Sequence, residues 1–258
     1  MEKIILIILF GLAWGSFLNV VIYRLPRRMS LIRPSSFCPR CNIKIKFYDN
    51  IPLISFFILR GKCRNCQEKI PVSYLLVELV TPLCFLLLYS HYSLSILFFV
   101  SCLFTSALIV LSFIDFCHQI LPDEITLPGL ALALIYALFR SDINLTQALV
   151  GAVTGAGFLL FVYGAYYALR KKEGLGMGDV TMMLMIGAYL GFLRTFFTLI
   201  LASLAGALVG VVIIAFKKKD LQYSLPFGTF LAPAAFVSLL WGERIINAYL
   251  SMYKDLPP

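Results

Sequence analysis

Two sets of residues in this chain of 258 have types and spacings suited to chemistry. The first is Cys38-Pro-Arg-Cys41 followed, after 21 intervening residues, by Cys63-Arg-Asn-Cys66. Paired C-x-x-C knuckles place four thiolates for a tetrahedral zinc, with a gap slightly longer than the commonest zinc-ribbon spacing. Two disulfides are the alternative, and a reducing compartment would disfavour them. With all four positions filled by protein, such a metal has no open site, so its role is structural. Cys84, Cys102 and Cys117 are single and read as packing residues.

The second set is acidic. Phe113-Ile-Asp115 leads into Leu121-Pro122-Asp123, and Gly176-Met-Gly178-Asp179 follows 64 residues after Asp115. Two carboxyls held close cannot both ionise cheaply, so they share a proton and titrate as a pair. An aspartic protease uses such a pair. The ionised partner takes a proton from water as it attacks the scissile carbonyl, and the protonated one hydrogen-bonds the developing oxyanion and delivers a proton to the leaving amine. Gly176 and Gly178 remove side chains beside the acid, so an extended peptide could approach it. Spacing alone leaves two other readings open: Asp115 and Asp123 as turn or capping residues with glycines that end a helix, and an ion or proton pathway.

What must position these groups follows from composition. The chain is 60% apolar and 14% charged, against about half and a quarter in a soluble domain. That excludes disorder and argues for lipid as a second solvent. The expected fold is an all-α polytopic membrane protein of about eight transmembrane helices, with a small zinc-ribbon-like loop domain. Charge-free windows Ile4–Ile22, Tyr92–Ile114, Leu145–Leu169, Thr195–Phe216 and Leu221–Gly242 are long enough to cross, and Pro71–Tyr89, Ile125–Phe139 and Val180–Leu193 are shorter or carry an acid. The division is a first helix over 1–23, a zinc-binding loop over 24–73 and a membrane core over 74–258. Val180–Leu193 spans only ~21 Å at 1.5 Å per residue, so either the bilayer thins there or Asp179 lies in a water-filled dip.

Net charge is +9, and eleven of the 22 basic residues fall between Arg24 and Lys69, opposed there only by Asp49 and Glu68. Such a block abutting apolar segments reads as a cytoplasmic loop, and no aromatic-interleaved motif supports nucleic acid. Alternation then puts the turns around His118, Lys171 and Lys218 on the same side. It leaves Lys3, Arg140, Arg194, Arg244 and Lys254, with both termini, outside. Glu2 beside Lys3 argues against a cleaved signal peptide. The helical hairpin between Asp115 and Asp179 returns the second acid to the cytoplasmic membrane face of the first. A proton-coupled transporter would hold its acids nearer the midplane.

With those residues in view, Asp115, Leu121-Pro122-Asp123 and Gly176-Met177-Gly178-Asp179 resemble the type IV prepilin peptidase family of GxGD-type membrane aspartic proteases. Gly15-Ser-Phe-Leu-Asn19-Val-Val-Ile-Tyr-Arg24-Leu-Pro26 is similar to the family's first helix, the cysteine pairs to its loop, and Pro226-Phe-Gly-Thr229-Phe-Leu-Ala232 to its final span. Thr229 departs from a second proline common there, and the expectation is that it does not touch the pair. The resemblance implies Asp115 and Asp179 as the catalytic pair and Asp123 as a supporting or capping residue. It implies removal of a basic leader from prepilins or pseudopilins at the cytoplasmic face of a bacterial inner membrane, then N-methylation from S-adenosylmethionine. A peptidase-only member is the alternative, which the cysteine loop makes less expected. Substrate helices would pack laterally, with Gly151/Gly155, Gly187/Gly191 and Gly206/Gly210 available, although such glycines more often pack a protein's own helices. Asn19, Arg24 and Glu78 are candidate walls of a methyl-donor pocket, with Arg24 as an interfacial anchor and Glu78 as its partner the alternative. A third reading makes the loop a docking module for an assembly ATPase.

Overall fold

A computed structural model describes residues 1–171, 176–217 and 225–254. Among them, eight helices of 14 residues or more run in the expected order: α1 (Glu2–Arg24), α3 (Val72–Tyr92), α4 (Ile96–His118), α5 (Asp123–Ala137), α6 (Leu145–Arg170), α7 (Met177–Leu190), α8 (Phe192–Lys217) and α9 (Gly228–Lys254). A five-residue helix, α2 (Ile54–Ile58), lies in the loop between α1 and α3. Six helices are long and apolar enough to cross a membrane; α5 and α7 are shorter. The chain is a multi-pass helical membrane protein. It divides into two compact units, Met1–Phe113 and Ile114–Pro258, with the boundary inside α4.

In the first unit α1 packs on α3 through two glycines. A Cβ on Gly11 would lie 2.6 Å from Pro82 Cα, and one on Gly15 would lie 3.1 Å from Glu78 Cα. The missing side chains let the backbones approach where the Pro82 ring leaves no room for a larger neighbour. The loop over 25–71 has little core of its own, with only Cys38 and Ser55 buried. It contains turns and two isolated bridges, Phe37 to Lys44 and Lys62 to Lys69.

In the second unit the short helix is the centre. Ten of the fourteen residues of α7 are buried, including Met182, Met183, Met185 and Tyr189. A helix apolar on every side is a core helix, and α5, α6, α8 and α9 cover it. Its ~21 Å length therefore needs no thinning of a bilayer, because its sides meet protein. Gly187 of α7 lies so close to Gly151 of α6 that a Cβ on Gly187 would be 2.6 Å from the Gly151 carbonyl carbon. Gly155 faces Thr195 and Met183, and Gly206 and Gly210 face Phe230 and Leu225. These pairs pack against the chain's own helices. Gly191, at φ +74°, turns the chain from α7 into α8.

The turn between α5 and α6 is closed by a buried cation. Arg140 donates to both carboxylate oxygens of Asp142 and, at 2.9 Å, to the Tyr189 carbonyl at the end of α7. Asn144 and Gln147 then form a reciprocal cap that starts α6. The final helix differs from expectation. The charge-free window ran from Leu221 to Gly242, whereas α9 runs from Gly228 to Lys254. Hydropathy marks where lipid can be tolerated; Glu243 and Arg244 lower it without ending the helix. The expected start at Leu221 and the turn at Lys218 lie outside the described residues.

Candidate active site

Helix α4 ends one turn after Asp115, where the Gln119 N–H bonds the Asp115 carbonyl with Gln119 at φ +54°. Pro122 cannot continue a helix and biases Leu121 toward extended backbone. The break puts Leu121 between two glycines: a Cβ on Gly178 would lie 2.7 Å from Leu121 Cβ, and one on Gly228 would lie 3.0 Å from Leu121 Cδ1. Gly228 also borders Asp115, with the same hypothetical Cβ 2.9 Å from Oδ2. Through this contact the end of α4 and the starts of α7 and α9 converge. Asp115 and Asp179 are both buried, 5% and 7% exposed, and the Asp115 charge acts on Asp179.

The two carboxyls have different partners. Asp179 Oδ2 accepts the Gly176 N–H at 3.2 Å, while its Oδ1 is buried with no hydrogen-bond partner. Asp115 Oδ2 accepts the Thr229 N–H at 2.8 Å and the Thr229 hydroxyl at 3.2 Å. Thr229 thus touches the pair, contrary to the sequence expectation. The reason is that α9 begins there: the Phe227 carbonyl accepts the first i→i−4 bond, from Leu231. The amides of the leading residues have no partner within the helix, and Thr229 gives its own to Asp115. The turn Pro226-Phe-Gly before an apolar run is the sequence signal that could have marked these free donors.

Asp123 caps no helix end. Its Oδ1 accepts the Thr181 hydroxyl at 3.0 Å and the Thr126 hydroxyl at 3.3 Å, which ties the start of α5 to the first turn of α7. Its partner Thr181 lies two residues along α7 from Asp179. Gly176 contributes its amide. The bare face of Gly178 is filled by Leu121, so it gives a peptide no room to approach.

In the first unit the four cysteine sulfurs all lie within 4.8 Å of one another, with Cys38 and Cys66 Sγ 3.7 Å apart. A regular tetrahedron with Zn–S of about 2.3 Å has edges of about 3.8 Å, so the donor set fits zinc; the same cysteines are unbridged by disulfides. The knuckles have the same local geometry. Asn42 and Gln67 each follow their first cysteine by four residues, have φ of +55° and +57°, and donate N–H to its carbonyl. The backbone N–H groups of Cys66 and Asn65 pull the Cys63 thiol down to about 7, while burial and the neighbouring sulfurs push Cys66 up to about 12, so the thiols titrate as one set.

Asn19, Arg24 and Glu78 lie along the α1/α3 pair, each with a partner in the chain. Asn19 donates to the Tyr74 carbonyl; Arg24, 4% exposed, donates to the carbonyls of Ser30, Pro34 and Ser35; Glu78 accepts the Leu53 N–H at 2.8 Å. These contacts fasten the loop to the helices. Arg24 addresses backbone carbonyls, and Glu78 the Leu53 amide and the Ser16 side chain, rather than each other.

Comparison with known proteins shows the family. A family model described as the bacterial peptidase A24 N-terminal domain matches residues 9–92, and one described as the type IV leader peptidase family matches 102–211. The chain is 37% identical over 271 residues to a prepilin leader peptidase/N-methyltransferase of Aeromonas salmonicida, covering 95% of this chain and 93% of the relative. It is 38% identical to one of Pseudomonas aeruginosa, covering 94% and 92%, and 32% identical to one of Legionella pneumophila, covering 95% and 93%. No solved structure matches the chain. Matched along nearly its whole length, the chain belongs to the type IV leader peptidase family.

Proposed function

We propose that the chain is a membrane aspartic endopeptidase that removes the basic leader of prepilins or pseudopilins, with N-methylation of the new N-terminus as its second activity. The observation that carries the reading is the convergence of Asp115 and Asp179, both buried, on Leu121 and the starts of α7 and α9. One acid takes a proton from water as the water oxygen bonds the scissile carbonyl carbon, and the other protonates the carbonyl oxygen. When the tetrahedral species collapses, the C–N bond breaks, the nitrogen takes a proton from the pair and a hydroxyl returns one. The pair ends with one proton, as it began.

In this reading Cys38, Cys41, Cys63 and Cys66 hold a zinc that stabilises the loop, and S-adenosylmethionine supplies the methyl group. Support for the methyl transfer is the name shared by the relatives. The basic block from Arg24 to Lys69 supports a cytoplasmic loop, with the acids at that face of a bacterial inner membrane. The test is incubation of purified chain with a prepilin precursor, with and without S-adenosylmethionine, read by intact mass. Leader loss plus one methyl is expected. An uncut precursor overturns the peptidase, and leader loss without the methyl overturns the second activity.

A further inference from the structure

We infer that Thr229 is a positioning residue that fixes how the two acids share their proton: its amide and hydroxyl hold Asp115 as the carboxylate, and the proton resides on Oδ1 of Asp179. The inference rests on the peptidase reading and adds a division of labour to it.

Two donors meet at one oxygen of Asp115, the Thr229 N–H at 2.8 Å and its hydroxyl at 3.2 Å. Both belong to the first turn of α9, whose leading amides lack partners in the helix and whose dipole favours an anion. The Gly228 amide is also turned toward the carboxyls. Donors to the charged form of a carboxyl favour that form. Asp179 accepts the Gly176 N–H on Oδ2 and shares the influence of the Gly228 amide, but it receives no side-chain donor and its buried Oδ1 has no hydrogen-bond partner. A bare anionic oxygen in that position is costly. As an O–H it is a donor ready for a carbonyl. Of the two ways to place one proton, the one on Asp179 leaves less buried charge unmatched.

The surroundings add no competing charge among the described residues. On α4, Cys117 and His118 beyond Asp115 are exposed. At the start of α5, Asp123 is engaged by Thr126 and Thr181. Leu121 and the first turn of α9 carry none. The order of events follows. Asp115 accepts the proton of the attacking water, and Asp179 gives its Oδ1 proton to the carbonyl oxygen. On collapse Asp115 returns its proton to the leaving nitrogen and the hydroxyl returns one to Asp179.

The test uses the full chain and a prepilin precursor. Thr229→Val removes the hydroxyl and keeps the amide; the acidic limb of kcat/KM against pH moves up by about one unit, a roughly tenfold loss at acid pH with little change on the plateau. Thr229→Pro removes both donors at a first-turn position where proline is tolerated and moves the limb further, while Thr229→Ser keeps the wild-type profile. A loss equal at every pH, with the limb fixed, overturns the inference. Infrared spectra without substrate, at mildly acidic pH, read the proton directly. Asp179→Asn removes a protonated-carboxyl band that Asp115→Asn retains, and the reverse pattern overturns the assignment. If the wild type cuts nothing while the infrared pattern holds, the peptidase reading falls and the proton assignment stands.

Discussion

The cysteine loop and the acid pair achieve order by opposite means. In the loop the ligands come from two short knuckles that build themselves from neighbouring residues, yet only Cys38 and Ser55 of the whole segment over 25–71 are buried. A segment of that size cannot bury enough surface to hold its shape, and a metal held by the four sulfurs would supply the missing cross-link. The acid pair needs no cross-link. Its geometry comes from packing around α7, and its hydrogen bonds reach from Asp115 to Thr229, 114 residues away. The difference teaches where each centre is fragile: the first at four sulfur atoms, the second wherever helix packing can be disturbed.

That contrast can be broken experimentally, beginning with the chemistry. Asp115→Asn and Asp179→Asn, made separately, should each lower leader cleavage by on the order of 10³-fold or more while the protein stays inserted and its metal content is unchanged; substantial cleavage by either variant rejects the pair. Next is the metal. One zinc per chain is expected, and chelation or Cys63→Ser should expose 25–71 to protease. Metal analysis near zero, or a loop equally protected without metal, would remove the cross-link from the account.

Packing around α7 predicts a smaller effect. Gly187→Leu forces side-chain atoms into the Gly151 backbone and should cost about 1–3 kcal/mol or more, seen as a lower Tm in detergent; an unchanged Tm would mean the helices are not held as described. The smallest effect is a pH dependence at the α5/α6 turn. Hydrogen bonding to Arg140 holds the Asp142 carboxyl below the usual carboxylate range. A group with a depressed folded value contributes stability above its ordinary pKa and loses it as pH falls through the folded value. Wild type should therefore lose a little stability relative to Asp142→Asn below about pH 4. The loss is modest because the Asp142 side chain is 42% exposed. Parallel pH profiles for the two proteins would contradict the pairing.

The cysteines were legible because knuckle spacing is itself the geometry. The eight main helices were legible from apolar windows, all but one of them free of charge, and the acids stood out by the rarity of carboxyls near apolar spans. What escaped was everything set by neighbours distant in sequence. Thr229 read as a substitution away from the pair, although the free amides of a helix start are known without seeing where they point. Gly178 read as a gap for substrate because nothing local says that Leu121 fills it. The close approach of Gly11 to Pro82 carried a small-residue signal that went unread beside the more obvious pairs.

The burial of α7 bears on how the protein is made. A stretch of fourteen residues with an aspartate in its first turn is a weak candidate for partitioning from a translocation channel into lipid by itself. Since four other helices cover it, and α8 and α9 are synthesised after it, α7 reaches its final surroundings only when the C-terminal helices arrive. The proposed site thus depends on helices made after α7, and a product that stopped before α9 would leave Asp115 without the Thr229 donors that α9 brings to it.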